Sequence, residues 1–140
     1  MTVYDKAKYH YNGDFPEELS HDQAYVHIGF FLGWLIERNL CSTEFLNKYT
    51  EHIAAFKARD LLCSQLCKKT AGVLASDMLN EEGNAFAEKG YESYVSDYLY
   101  FVDHEDAEST YDVEDNWEHY EMVRDELDIS YEMWCERRQG

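Results

Sequence analysis

The longest unbroken apolar stretch of the chain is Ala24 to Ile36, AYVHIGFFLGWLI, with His27 as its one basic side chain. A segment apolar on every face belongs at the centre of a core, packed on several sides. Ser20 with Gln23 three residues on reads as a capping box, and Asn39 after Arg38 supplies a left-handed stop, so the pattern predicts a helix over residues 20–38. Gly29 and Gly33 leave a flat strip along it, where a neighbour can come close.

The remaining chain shows narrower apolar stripes. Ser42 can cap a helix to about Lys57, in which Phe45, Leu46, Tyr49, Ile53 and Phe56 share one face. A third helix is expected over Asp60 to Lys69, ending at Gly72 with Lys68 and Lys69 at its C-terminus. Asn80, followed by Glu81 and Glu82, is a good N-cap for a helix to about Val102, with Gly90 as the expected kink or break. Thr110 or Asp112 opens the last helical region, where Trp117, Tyr120, Val123, Leu127, Tyr131 and Trp134 step by three or four residues. Residues 1–16 read as a short helical turn and a loop through Asn12-Gly13-Asp14, and His104 to Ser109 as a solvated acidic loop. The expected fold is all-α: one domain spanning residues 1–140, a bundle of about five to six helices around the 20–38 helix, with an acidic C-terminal helical region from about residue 110.

Charge changes this picture more than composition does. The chain of 140 residues carries a formal charge of −17. Between Asp97 and Glu136 there are 15 Asp and Glu against the single Arg124. Such a field argues against direct contact with nucleic acid or an anionic membrane, both of which require excess Lys and Arg, and favours a basic protein partner. At 45% hydrophobic and 16% aromatic the chain is nonetheless built to fold. The apolar run of 13 residues reaches only about 20 Å as a helix, short of a bilayer core of about 30 Å. No secretory leader is read in MTVYDKAKYHYNGDFP, so a cytoplasmic protein with four reduced cysteines, Cys41, Cys63, Cys67 and Cys135, is expected.

Spacing nominates no chemistry. The sequence has no HExxH, no paired CxxC, no calcium loop, no GxSxG elbow and no Gly-rich phosphate loop. Cys63 and Cys67, at i and i+4, could hold a soft metal only if further ligands approached in space. His27 reads as a buried histidine with a satisfied hydrogen bond. No catalytic, metal or cofactor residue is therefore expected. The acidic and aromatic C-terminal segment is the candidate site: Tyr111, Asp112, Glu114, Asp115, Trp117, Glu118, Glu121 and Asp125 as contacts for a partner. Like charges at i, i+3 and i+4 cost a helix a few tenths of a kcal/mol per pair, which a basic partner would restore.

Three blocks, YDKAKYHYNGDFP at 4–16, QAYVHIGFFLGWLIERNL at 23–40 and NEEGNAFAEKGYESYVSDY at 80–98, resemble a family of small uncharacterised bacterial proteins associated with toxin and immunity gene neighbourhoods. The resemblance implies an immunity protein that binds and neutralises a cognate toxin, such as a basic nuclease; it carries no catalytic or binding residue with it. Two other classes stay open: an acidic nucleic-acid mimic of the anti-restriction or anti-CRISPR type, and a small enzyme or metal protein.

Overall fold

A computed structural model of the chain describes residues 2–13, 15–70, 72–104 and 106–139. Asp14 and Glu105, which belong to the two predicted loops, lie outside the described residues. The order is β1 (Val3–Lys6), α1 (Ala7–Tyr11), a 3-10 turn (His21–Tyr25), α2 (Val26–Glu37), α3 (Thr43–Lys48), α4 (Thr50–Lys57), α5 (Cys63–Thr70), β2 (Val73–Ala75), a 3-10 turn (Ser76–Met78), α6 (Glu81–Phe101), a 3-10 turn (Thr110–Asp112) and α7 (Trp117–Gln139).

The apolar run is the central helix. Every residue of α2 from Val26 to Ile36 is buried, and α4, α5, α6 and α7 all pack on it. Its start is later than predicted: residues 21–25 form a 3-10 turn, and the side chain of Gln23 does not return to Ser20 but donates to the Tyr111 and Val113 carbonyls at 2.8 and 3.0 Å. Asn39 does adopt the left-handed conformation, with φ of 61°. The two glycines are there for contact. A methyl group on Gly29 would lie 2.6 Å from the Cys63 carbonyl carbon, and one on Gly33 would lie 2.7 Å from the Phe56 ring. Gly29 thus lets the start of α5 press its backbone against α2, whereas Gly33 admits a side chain that can tilt.

Several expected boundaries move, each for a local reason. The predicted 42–57 helix is two helices broken at Tyr49, where the Thr50 hydroxyl takes the Leu46 and Asn47 carbonyls at 2.9 and 3.0 Å in competition with the backbone. The third helix begins at Cys63 rather than Asp60, because Arg59 turns the chain with φ of 66°. Gly90 does not interrupt α6; it makes room for the Phe86 ring, which a methyl there would approach to 2.9 Å. Ser42 and Asn80 cap as expected, accepting from the Phe45 and Gly83 amides.

The all-α expectation is corrected by one small sheet. β1 pairs antiparallel with β2 in the register Val3 with Ala75, Asp5 with Leu74 and Lys6 with Val73, and the pairing slips between Val3 and Asp5. Such a bulge re-aims a side chain. Here Asp5 points inward and is buried. No helix among the described residues is long and apolar enough to cross a membrane.

Gly29→Ala should destabilise the fold by about 2 kcal/mol or more, because its clash is with backbone, while Gly33→Ala should cost less. Urea denaturation of both variants checks the order. Equal losses would mean that α5 can back away from α2.

Candidate functional site

Among the described residues Asp5 is the one acidic residue that is buried. Its Oδ1 accepts from the Lys6 amide at 2.8 Å and faces His10 Nε2 at 2.6 Å. Its Oδ2 faces His27 Nε2 at 3.2 Å and accepts from the Tyr91 hydroxyl. The cluster draws on four elements: Asp5 from β1, His10 from α1, His27 from the first turn of α2 and Tyr91 from α6. The His10 and His27 rings stand perpendicular with centroids 4.6 Å apart. His10 Nδ1 meets the Tyr111 hydroxyl at 2.6 Å, and Gln23 fixes the Tyr111 backbone as described above. Tyr94 donates to the His27 carbonyl at 2.6 Å. His27 is 1% exposed, and among the described residues its Nδ1 has no hydrogen-bond partner.

The electrostatics follow from burial and from the donors. Burial alone would raise the Asp5 pKa; the hydrogen bonds from His10, His27 and Tyr91 outweigh it and hold the carboxyl well below the usual carboxylate range. Burial lowers the His27 pKa, and Asp5 only partly opposes it. The Tyr91 phenol is pushed up by burial and by the Asp5 charge. At neutral pH the cluster is a carboxylate, a neutral His27 imidazole and a protonated phenol. Asp5, His10 and His27 present ligand atoms all within 4.8 Å of one another. They are the one such group of three among the described residues. Sequence spacing missed it, since separations of five and seventeen residues match no motif. The available signal was His27, a ring in an apolar helix that required a partner.

The predicted partner-binding residues divide. Glu114, Glu118, Glu121 and Asp125 are exposed, and among the described residues only Asp125 has an ion pair, with Arg124 at 3.5 Å. Asp112 is exposed but closes a capping box with Ser109. The other three turn inward. Tyr111 is half-buried against His10 and Phe15. Asp115 accepts from the Ser64 amide at 3.0 Å and from the Ser64 hydroxyl, capping α5 from a distant part of the chain; burial raises its pKa despite those bonds. Trp117 packs on Phe56 and lies beneath the Arg59 guanidinium, 4.4 Å from its ring centroid. Beyond the named set, Glu132 and Glu136 are exposed on α7, and Ile129 and Met133, each 53% exposed, lie beside them.

All four cysteines are unbridged. Burial raises the thiol pKa of Cys63 and Cys67, and pushes that of Cys41 up to about 12. Among the described residues no third ligand joins Cys63 and Cys67.

A family model described as Domain of unknown function (DUF7832) matches residues 3–113, which hold every member of the buried cluster and end before α7. No curated protein and no solved structure matches the chain.

Stability should fall as the solution is acidified, in two stages. Unfolded His27 takes a proton near pH 6.5 while the folded ring resists, so stability drops from there downward. Asp5, whose folded pKa is depressed, contributes stability above its unfolded value of 3.8 and loses it as pH falls further. Asp5→Asn should cost about 2–4 kcal/mol at pH 7 and make the second stage shallower. Urea titrations from pH 8 to pH 3 measure both; a variant as stable as the parent at neutral pH would remove Asp5 from this role.

Proposed function

We propose that this chain, which belongs to the family described as Domain of unknown function (DUF7832), is a binding protein that docks a basic protein partner through the outer face of α7. The observation that carries the reading is a row of exposed carboxylates. Glu118, Glu121, Asp125, Glu132 and Glu136 recur at helical spacing on the side of α7 opposite Tyr120, Val123, Leu127 and Tyr131, which are buried. At 1.5 Å per residue the row is about 27 Å long. Ile129 and Met133 form an apolar strip beside it. Apolar anchors set in a charged surface are the usual composition of an interface, with charge setting the rate of encounter and apolar burial the residence time.

The biological setting that fits is immunity. The resemblance of residues 4–16, 23–40 and 80–98 to small bacterial proteins of toxin and immunity neighbourhoods supports a cytoplasmic inhibitor of a basic toxin. Such an inhibitor has to find its target before damage is done, and opposite charge accelerates association by orders of magnitude. Binding rather than catalysis is the activity proposed. The regular carboxylate row also favours a second reading, mimicry of a nucleic-acid strand; release of the captured partner by competing DNA or RNA separates it from a toxin whose binding face is not its nucleic-acid site.

Replacing Glu118, Glu121, Asp125, Glu132 and Glu136 with Gln or Asn should leave the fold intact or slightly more stable, slow association severalfold and flatten its salt dependence. Stopped-flow or surface-plasmon rates with the partner captured from the native host, taken across a salt series, provide the measurement. An unchanged rate at every salt concentration would make the row a solubility device. Ile129→Ala and Met133→Ala should instead act mainly on dissociation.

A further inference from the structure

We propose that Asp5, His10 and His27 form a binding site for one divalent transition-metal ion of the zinc or ferrous class. Two imidazole nitrogens and a carboxylate oxygen, from three elements, converge with their ligand atoms within 4.8 Å of one another. Both rings present the same atom, Nε2, to the same carboxylate, at 2.6 and 3.2 Å, and they come from perpendicular planes. Around a single ion with bonds of about 2.0–2.2 Å, neighbouring donor atoms stand roughly 3 Å apart. Each ring nitrogen stands at about that separation from an oxygen of the carboxylate, His10 from Oδ1 and His27 from Oδ2, and side-chain torsions supply the shift that brings the three donors onto one ion.

Two further features point to a ligand rather than to a closed hydrogen-bond network. The first is His27 itself. Its ring is buried, and Nε2, the atom turned toward the site, makes only the 3.2 Å contact to Asp5. A buried imidazole nitrogen held by a single long hydrogen bond is open to an ion that binds it more closely. The second is the outer layer. His10 Nδ1 is fixed by the Tyr111 hydroxyl at 2.6 Å, and the carboxylate of Asp5 is oriented by the Lys6 amide at 2.8 Å and by Tyr91. Partners of this kind set the tautomer and direction of metal ligands, and their loss weakens metal binding.

The donor set selects the ion. Two imidazoles and one carboxylate suit zinc, ferrous iron or cobalt, whereas calcium and magnesium prefer all-oxygen shells. Three protein ligands leave at least one position for water or substrate. The side chain of His10 is 20% exposed whereas that of His27 is 1% exposed, so an ion enters from the His10 and Tyr111 side. The site is independent of the acidic row on α7, and the two readings can fail separately.

The test uses the full-length protein, stripped with a chelator, dialysed, and titrated calorimetrically with Zn²⁺ or Co²⁺, and anaerobically with Fe²⁺. One equivalent should bind and raise the thermal midpoint. The Co²⁺ form should show visible bands of a low-symmetry nitrogen and oxygen site, and its proton spectrum two hyperfine-shifted imidazole N–H signals. His10→Ala should weaken binding at least about 100-fold and Tyr111→Phe about 10-fold to 100-fold. His119→Ala is the control, because His104 and His119 form a second pair of rings, 4.9 Å apart. Near-UV circular dichroism reports whether each variant is folded; should His10→Ala not fold, Tyr111→Phe and the two imidazole signals decide. No uptake by the folded parent, uptake unaffected by His10→Ala or Tyr111→Phe, or uptake lost in His119→Ala would each overturn the proposal.

Discussion

Taking one carboxylate out of water costs several kcal/mol, and the fold offsets that cost at Asp5 by bringing donors to it from separate parts of the chain. Lys6 supplies its amide, α1 a histidine, α2 a histidine and α6 a tyrosine. Each donor fixes the element that carries it. Strand β1 must bulge to aim Asp5 inward, α1 must follow it at once so that His10 comes back to the carboxylate, and the 110–112 turn is held by Tyr111 on the far side of His10. The apolar packing around α2 supplies most of the stability, since each buried aromatic or aliphatic side chain contributes about 1.5–3 kcal/mol. Packing of that kind tolerates small slides; the bonds to Asp5 do not.

The contrast explains what could be read from the chain. Helix α2 was legible because thirteen apolar residues leave no alternative to a central position. Ser42, Asn80 and Asn39 were legible because capping and left-handed geometry depend on the residue and its immediate neighbours. Strand β1 was not, because VYDK becomes a strand only by pairing with residues some seventy positions away, and β propensity is set largely by such context. The Asp5, His10 and His27 cluster was illegible for the same reason: its members meet through tertiary packing and have no fixed spacing. Asp115 was read as outward-facing because it sits in an acidic run, and Trp117 was read both as part of the apolar stripe of the last helix and as a partner contact. In the fold the Ser64 amide at the start of α5 takes Asp115 as its acceptor, and the Phe56 ring takes Trp117 as its packing partner.

Acidic residues in this protein consequently serve two purposes. One group accepts hydrogen bonds from aromatic side chains that would otherwise be buried unsatisfied: Glu37 from Tyr120, Glu82 from Tyr131, and Asp128 from the Trp34 indole at 2.8 Å. Large aromatic residues can then sit at the edge of the core with their polar ends satisfied. The second group, on the outer face of α7, bonds to almost nothing within the described chain. Net charge alone does not separate the two; a count of acceptors already in use does.

Helix α7 has inward and outward residues that do not overlap. Tyr120, Val123, Leu127 and Tyr131 complete the wall against α2 and α6, while Glu118, Glu121, Asp125, Ile129, Glu132 and Met133 are exposed on the outer side. Single substitutions in the outer set therefore carry small stability costs, typically within about 0.5 kcal/mol. The outer surface can thus be rewritten one residue at a time on an unchanged scaffold, whereas a change to an inward residue of α7 has to be matched by its neighbours on α2 and α6.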